Sequence, residues 1–597
     1  VNGMVATTAD VTNQNFMAGV DRFDIAGNNP NAAVANHGTI TAKEAGLVGL
    51  VAPNVENSGV ITAKLGRVQL ASGDTATVDL YGDGLLEVAV SDAVTSQMVT
   101  NSGTINAGGG TIAITAAAGS HAVNSLVTVH GQLNAPTVGM RGGKIIIAAE
   151  GSNAVAGNDA ANKGKKTGVS TVLVDATLDV SASASAPEAN NGHAGSVTIT
   201  GDHVALLTGA QVDATGSVQG GTIHIGGEYL GGGITPAALM TIIQSGVLLD
   251  ASGIVDPNQT QATGARGGEV IVYADDQTTF AGIIHADGSG ERGDGGFIET
   301  SGKHVLNSYG TVSAIAGRNG KAGTWLLDPA DITIVAGATN SNITGSPNFT
   351  PSGTAAQIGA DNITSVLNAG TNVTITTSND GFAGNGDIFV NAAITATGAG
   401  SLTLSAFRNI TVNSAITLNG GALTLRSNNA GAADGSTGSG AISIAAAITT
   451  NGGNITIGGG SGAITAGSGY ALGTVSFIGG KGVLIGGAVN AGGGTIIING
   501  RGLISNSPSN PGIAISNVGS LQTSGAGNIS LYGLGAGKNN SATNYGIWVD
   551  TGGSISAGTG TITLSGTGGG AGSWSADSSA SPGPACRVQC PMFRRGP

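Results

Sequence analysis

Cysteine, aromatic residues and charge are all scarce in this 597-residue chain, and each scarcity narrows the choice of structure. The two cysteines, Cys586 and Cys590, lie in the last dozen residues, so residues 1–585 can form no disulfide. With no further Cys or His nearby, their spacing is poor evidence for a zinc site. Aromatic residues make up 3% of the chain, so we expect a core of Ile, Val, Leu and Ala in thin layers. Charged residues make up 10%, against about 25% in an average soluble protein, which argues against a helical bundle and a charge-rich disordered chain.

Acidic residues outnumber basic residues, and the sequence has no long apolar run. The chain has 22 Lys and Arg against 35 Asp and Glu, and its densest basic cluster is a lone polar loop at Lys163, Lys165 and Lys166. This excludes nucleic acid as a partner, which would need a basic face with aromatic residues for stacking. No apolar run reaches the roughly 18 residues that predict a transmembrane segment. No signal peptide is visible either, and because the chain begins at Val1 within a strand-like pattern, we interpret it as a fragment whose signal peptide is missing.

Glycine is abundant and marks a repeated phrase. The 106 glycines lack the triplet period of collagen, so they indicate turns at recurring corners. One phrase recurs in forms such as AITLNGGALTLRS and AVNAGGGTIIING, with lead residues spaced 22, 32, 41, 32 and 34 apart. The lead residues are Ile394, Ile416, Ile448, Val489, Leu521 and Ile555. Such self-similarity predicts an all-β solenoid, and stacked strands about 4.8 Å apart would make it an elongated rod of about 120 Å.

The form of the repeat changes along the chain and predicts five segments. Residues 1–110 carry Asn-led corners at Asn36, Asn57 and Asn101, which could stack as a hydrogen-bonded ladder. Longer units with surface loops, such as Asp256 to Arg266, follow over residues 111–335. A junction is expected at 336–360 and a short-repeat region at 361–566. The atypical residues 567–597 are either a disordered tail or not the natural continuation of the gene product.

Two stretches of the sequence resemble a known family. The first, Phe16 to Val88, includes FMAGVDRFDIAGNNPNAAVANHGTITAKEAGLVGLVAPNVENSGVITA. It resembles the haemagglutination-activity, or two-partner secretion, domain of filamentous haemagglutinin-like large exoproteins. The second, which includes GGTIHIGGEYLG, GGEVIVYADDQTTFAGIIHADG and GKAGTWLLDPADITI, is similar to the recurrent block of bacterial exoproteins assigned to adhesion or haem utilisation.

The resemblance implies a right-handed parallel β-helix and an exported protein. Residues 1–110 would be the C-terminal part of the secretion domain, and an outer-membrane β-barrel transporter would be the export partner. The implied function is a secreted adhesin at the bacterial cell surface that binds host-cell glycan or protein receptors. A haem-utilisation exoprotein, a toxin-delivery stalk and a polysaccharide-active β-helix enzyme stay open as alternatives. The family's Asn-Pro-Asn secretion motif is expected upstream of Val1, and we interpret Asn29, Pro30 and Asn31 as an ordinary corner.

Candidate chemistry is sparse, and we expect no catalytic, cofactor or metal site. The best acidic cluster is Asp287, Glu291 and Asp294 around Arg292, in a glycine-rich segment. The alternative interpretation, which we favour, is a solvent-exposed loop between coils with no functional role. Asp275 and Asp276 are adjacent, so on a strand they would face opposite ways.

An Arg-Gly-Asp triplet is the one candidate adhesion loop. Arg292, Gly293 and Asp294 would capture an integrin if the loop were exposed, and the alternative is coincidence in a charged, glycine-rich loop.

The eight histidines show no metal-ligand spacing, and none predicts a cofactor. They are His37, His121, His130, His193, His203, His224, His285 and His304. His224 alternates with Ile223 and Ile225, so it should point outward if those two residues face the core.

Overall fold

The computed structural model describes most of the chain. The described residues are 2–78, 86–89, 94, 96–117, 124–150, 169–182, 192–255, 264–337, 343–344, 350–351, 356–379, 385–433, 439–474, 476–505, 510–536, 544–569 and 575–580. Lys163, Lys165, Lys166, His121, Cys586 and Cys590 lie outside them, as does most of the predicted loop from Asp256.

The chain is a right-handed parallel β-helix, as predicted. Each full coil contributes three short strands, one to each of three parallel sheets, which we call the first, second and third sheets. Along the strands buried and half-exposed residues alternate, as in Lys144–Ala149, because successive side chains point to opposite faces. The inward residues of the three sheets therefore fill a core of aliphatic side chains.

The coils form two compact units. Unit 1 contains Val1–Gly302 and Gly310–Thr324, and unit 2 contains Lys303–Tyr309 and Trp325–Pro597. The predicted boundaries at 110, 335, 360 and 566 follow changes in the repeat and stay a prediction.

Among its described residues, unit 1 has eight or nine strands in each sheet. Its first sheet contains Met4–Thr7, Leu47–Ala52, Arg67–Ser72, Thr111–Ala116, Lys144–Ala149, Ser196–Thr200, Thr222–Ile225, Glu269–Ala274 and Phe297–Gly302. Its second sheet contains Ala33–Asn36, Asn54–Asn57, Ser96–Asn101, Asn124–Val129, Ser170–Val174, His203–Leu206, Met240–Ile243 and Gln277–Phe280. Its third sheet contains Thr39–Thr41, Val60–Thr62, Thr104–Asn106, Gln132–Asn134, Thr177–Asp179, Gln211–Asp213, Leu248–Asp250, Ile283–His285 and Thr311–Ser313.

Unit 1 also has elements outside the coils. They are the helix Asn13–Ala18, the 3₁₀ turn Tyr229–Gly231, and an antiparallel sheet of Arg22–Phe23, Thr75–Val78 and Leu86–Ala89.

Unit 2 repeats the arrangement with shorter strands, and Thr324–Leu327 spans the boundary between the units. Its first sheet contains Asn372–Thr376, Leu402–Ser405, Leu423–Ser427, Ile455–Gly459, Ala471–Leu472, Ile496–Arg501, Ile529–Leu534, Ile562–Thr567 and Ser575–Ala580. Its second sheet contains Val305–Ser308, Ile332–Val335, Ala356–Gly359, Ile388–Val390, Ile410–Val412, Ile442–Ile444, Val483–Ile485, Ile513–Ile515 and Ile547–Val549. Its third sheet contains Ile394–Thr395, Ile416–Thr417, Ile448–Thr449, Ala488–Asn490, Ser520–Gln522 and Ser554–Ser556. The strands Ile343–Thr344 and Thr350–Pro351, the helix Ala360–Asn368 and the 3₁₀ turn Ile478–Gly480 complete it.

The lead residues of the repeated phrase stack in register, as their spacing predicts. In the third sheet of unit 2 they pair in sequence order from Ile394 to Ile555, and each is at most 2% exposed. Insertions between coils therefore change the spacing along the chain without changing which residue faces the core.

Glycine occupies the corner before the first sheet because nothing larger fits there. A Cβ on Gly268 would collide with the carbonyl oxygen of Gly221, and one on Gly296 would collide with that of Gly268. The same relation joins Gly453 to Gly421 in unit 2. This explains why a glycine pair precedes so many first-sheet strands.

The predicted asparagine ladder is confirmed. Asn36 donates from Nδ2 to Oδ1 of Asn57 at 2.8 Å, and Asn57 donates in turn to Oδ1 of Asn101 at 2.7 Å. All three side chains are buried at the corner between the second and third sheets. Each amide thus supplies the partner that its neighbour needs in an apolar core.

The longer of the two α-helices among the described residues stands in place of a strand. Ala360–Asn368 lies in the predicted junction and buries Ile363, Val366 and Leu367 along one face. It stands where the chain order calls for a third-sheet strand, and its Asn368 Oδ1 accepts from the backbone N–H of Thr397 at 2.6 Å. The helix therefore covers the first edge of the third sheet in unit 2, a common protection for exposed strand edges.

One strand lies within the predicted tail. Ser575–Ala580 pairs antiparallel with Ile562–Thr567, and the predicted disorder of residues 567–597 stays a prediction. Among the described residues, no helix has the length and apolar character needed to cross a membrane.

Candidate functional site

The Arg-Gly-Asp triplet lies at a corner of unit 1, between the strands Ile283–His285 and Phe297–Gly302. Arg292 is exposed and adopts a left-handed backbone conformation with φ 63°, and its N–H donates to the carbonyl of Arg318 at 2.7 Å. Oδ1 of Asp294 accepts from the backbone N–H of Lys321 at 2.7 Å. The triplet is thus held in one conformation by the next coil, with the guanidinium outward and one carboxylate oxygen already engaged.

The acidic residues of this corner bond to the next coil and not to one another. Oδ1 of Asp287 accepts from the Ser313 hydroxyl at 2.6 Å and from a backbone N–H at 2.9 Å. Glu291 forms an ion pair with Arg318 at 2.7 Å and accepts from the Asn319 amide, and these bonds lower the pKa of Glu291. The segment that carries these residues was expected to be a solvent-exposed loop, but it stacks on the coil that follows. The three carboxylates act as ties between coils.

The adjacent pair Asp275 and Asp276 forms the turn between Glu269–Ala274 and Gln277–Phe280. Oδ1 of Asp275 accepts from the Tyr273 hydroxyl at 3.2 Å, and Asp276 is exposed. The two residues lie in a turn and not on the strand where the sequence argument placed them.

Histidines on the outer faces pair with side chains of neighbouring coils. His224 lies outward between buried Ile223 and Ile225, as predicted, and its Nε2 is 2.7 Å from Oε1 of Glu269. Nδ1 of His130 lies 2.5 Å from Oδ1 of Asp175. Within the described residues, no three His, Cys, Asp or Glu side chains form a group that could hold a metal ion.

Asn29, Pro30 and Asn31 form the turn that the sequence predicted. The backbone N–H of Asn31 donates to Oδ1 of Asn29 at 3.0 Å, and the N–H of Ala32 donates to the carbonyl of Asn29 at 3.1 Å. This side chain to backbone bond is typical of an asparagine-led corner.

A concavity on the outside of unit 1 was not predicted. It has a volume of ≈ 490 Å³ and crosses four successive coils at the start of the first-sheet strands. Its lining residues are Gln219–Thr222, Gly267–Glu269, Gly295–Phe297 and Ala322–Thr324. We call it the outer groove. Its floor is the stack of corner glycines, and its one charged lining residue is Glu269.

A segment of chain lies over the sheet beside the outer groove. It spans residues 226–238, between Thr222–Ile225 and Met240–Ile243, and we call it the strap. Tyr229 of the strap contacts Phe297 of the groove, with ring centroids 5.7 Å apart and planes 60° to each other. The N–H of Leu230 lies 3.2 Å from both carboxylate oxygens of Glu299, whose side chain is fully buried. Leu230 itself has φ 52°, so this contact holds a residue in a conformation that leucine seldom adopts.

Comparisons with known proteins found similarity to solved structures but not to a family model. No curated protein matches the chain either. The crystal structure of the HMW1 secretion domain from Haemophilus influenzae is 28% identical to this chain, and the match covers 55% of this chain and 75% of that one with a TM-score of 0.40. At this TM-score the likeness carries no argument.

The family-like phrases of the sequence occupy equivalent places in successive coils. GGTIHI, GGEVIV and GGFIET each form a corner and the first-sheet strand that follows it, and their strands pair in register. VDATG, LDASG and IHADG each end a third-sheet strand, which puts Val212, Leu249 and Ile284 in one buried column. The sequence phrases that carry the resemblance therefore lie where a third-sheet strand ends and where a first-sheet strand begins.

Proposed function

We propose that the chain is part of a secreted, filamentous haemagglutinin-like adhesin exported by two-partner secretion. The observation that carries this proposal is the placement of the resemblance-bearing phrases at equivalent corners of a parallel β-helix. An unrelated solenoid would also need glycine at its corners, but it would not need the family's sequence phrases in the family's order.

An outer-membrane β-barrel transporter is the proposed export partner. Stacking of one coil on the next accounts for nearly all strand pairing among the described residues, so the helix can form progressively as the chain emerges. The absence of cysteine from residues 1–585 supports the same proposal, since no disulfide in that part can lock the chain before transport.

Adhesion at the cell surface is the proposed activity. Repeated outward faces favour many weak contacts, so affinity would come from avidity. The outer groove and the Arg-Gly-Asp corner are the two candidate contact sites, and the corner presents Arg292 outward. Asp294→Glu tests the corner, because a longer side chain would misplace the carboxylate. Equal binding of this variant and wild type to integrin-bearing cells would remove the corner from the proposal.

We also propose that the chain has no catalytic activity. Glycoside hydrolysis generally uses two carboxylates about 5–10 Å apart, whereas Glu269 is the one carboxylate that lines the outer groove. Release of reducing sugar from soluble polysaccharides by the purified chain, with Glu269→Gln as the matched variant, would contradict this proposal.

Two measurements test the main proposal. Beads coated with the purified chain should bind epithelial or bacterial cells in proportion to coating density, and beads coated with heat-unfolded chain should not. Fused behind the secretion domain of a two-partner exoprotein, residues 1–597 should reach the medium when the cognate transporter is present and should stay in the cell when it is deleted. Cell binding that is equal for folded and unfolded chain would overturn the adhesive function.

A further inference from the structure

We propose that the outer groove is a binding site for a neutral oligosaccharide. The proposal rests on the adhesive function given above and names the chemical class of ligand for one of its two candidate sites.

The size of the groove fits a short, extended ligand. Its lining crosses four coils, so it runs for three strand spacings, about 14 Å. Its volume of ≈ 490 Å³ lies within the range of about 300–1,000 Å³ that is usual for small-molecule sites. A single monosaccharide would leave much of this length empty.

The backbone N–H groups that begin the four strands of the groove already have acceptors. The N–H groups of Thr222, Glu269, Phe297 and Thr324 all donate to glycine carbonyls of the preceding coil, at 2.9–3.1 Å. Capture of an extended peptide by strand addition needs a free sheet edge, and this groove runs across paired strands. The proposed recognition therefore uses side chains.

The side chains present suit a sugar. Phe297 is half-buried and is fixed from one side by Tyr229, so an aromatic face is held in place in a chain with few aromatic residues. Glu269 lies beside it in the next strand, and Thr222 and Thr324 supply hydroxyl groups on either side. An apolar ring face with convergent hydrogen-bonding groups matches the alternating C–H and O–H surface of a pyranose.

Charge selects neutral sugars over acidic ones. Glu269 is the one charged group in the lining, and the chain carries a net charge of −13. A sialylated or sulfated glycan would bring a second negative charge to this carboxylate without a cation in the lining to offset it. The carboxylate can instead accept hydrogen bonds from the hydroxyl groups of a neutral ligand, and its bond to His224 holds it in position.

The test uses the full chain and saturation-transfer-difference NMR. The probes are maltotetraose, cellotetraose and chitotetraose as neutral ligands, 3′-sialyllactose as the acidic one and a Gly-Ser octapeptide as the peptide. At least one neutral tetrasaccharide should bind, and Phe297→Ala should weaken it by about tenfold or more, or about 1.4 kcal/mol. Phe297→Tyr should keep most of the affinity because it retains the ring.

Matched variants separate binding from folding. Phe389 is an outward, half-buried phenylalanine of unit 2, so Phe389→Ala removes a comparable ring far from the groove in sequence and should leave binding within about twofold. Glu269→Gln should weaken binding by about fivefold, because a hydrogen bond to a charged acceptor is stronger than one to an amide. Each variant is first checked by circular dichroism for unchanged strand content.

The outcomes distinguish this proposal from the function on which it rests. No binding of any neutral tetrasaccharide up to ~10 mM, equal loss in Phe297→Ala and Phe389→Ala, or stronger binding of 3′-sialyllactose or the peptide would overturn the neutral-sugar site. If the coated beads still bind cells while the sugars fail, adhesion stands and the groove is not its site. If the beads also fail, the adhesive function itself is wrong.

Discussion

Replacing Asn57 tests whether the buried asparagine ladder holds the first coils together. Its side chain is fully buried, accepts from Asn36 at 2.8 Å and donates to Asn101 at 2.7 Å. Asn57→Ala removes both bonds and leaves a buried donor and a buried acceptor without this partner. Because each unsatisfied buried group costs about 1–3 kcal/mol, we expect a loss of about 2–6 kcal/mol.

Asn57→Asp makes the test more specific. A carboxylate can still accept from Asn36, but it cannot donate to Oδ1 of Asn101, and at neutral pH it places a charge in an apolar core. We therefore expect Asn57→Asp to be less stable than Asn57→Ala at pH 7. Below the pKa of the new carboxyl its proton can donate to Asn101, so part of the stability should return in acid.

Asn413 provides the matched control. Its Nδ2 donates to Oδ1 of Asn391 on the neighbouring coil at 2.9 Å, the same bond on an exposed surface. Since water can replace the missing partner there, Asn413→Ala should cost no more than about 0.5 kcal/mol.

Local stability is the quantity to measure, because a solenoid need not unfold in one step. Hydrogen exchange of peptides covering residues 96–106 reports on the coil that follows Asn57, and thermal unfolding by circular dichroism reports on the whole chain. Equal losses for Asn57→Ala and Asn413→Ala, or an Asn57→Asp variant as stable as wild type at pH 7, would refute the reasoning.

Three further perturbations test other parts of the structure. Burial raises the pKa of Asp328 from 3.8 to about 6, so the folded state binds more protons between these values and this residue's contribution to stability falls by about 2 kcal/mol as pH rises from 4 to 8. Melts of Asp328→Asn against wild type from pH 4 to 8 should diverge in favour of the variant as pH rises, and parallel curves would contradict this. Ile448→Ala deletes a fully buried member of the apolar stack and should cost about 2–5 kcal/mol in chemical denaturation, whereas outward Thr449→Ala should change little. Cysteines at the register partners Thr403 and Thr424 would have Cα atoms about 4.8 Å apart, close enough for a disulfide, and should reduce transporter-dependent release unless a reductant is present. Unimpaired release of the oxidised double variant would show that export does not require an unlocked chain.

Residues that repeat were the ones whose positions could be predicted. The six lead residues from Ile394 to Ile555 occupy one column, although insertions vary their spacing from 22 to 41 residues. His224 points outward because strand alternation is strict once Ile223 and Ile225 are buried.

Residues outside the repeat had no such guide. The helix Ala360–Asn368 could have been found from the helical spacing of Ile363, Val366 and Leu367, but its short length made that signal weak beside the strand patterns around it. The strap gave no periodic signal, because its position depends on a buried Glu299 some 70 residues later in the chain.

By itself the sequence determined the coil: which residues face inward, where glycine must stand and which asparagines share a corner. These are consequences of alternation and of backbone crowding at a corner, and both are local in the chain or repeat from coil to coil. Only the tertiary structure decided that Asp287, Glu291 and Asp294 tie one coil to the next, and that Phe297, Glu269 and Tyr229 meet around a groove. Those contacts join residues from different coils on the outer surface. Side-chain identity varies there from coil to coil, so no repeating sequence pattern predicts which residues will be in contact.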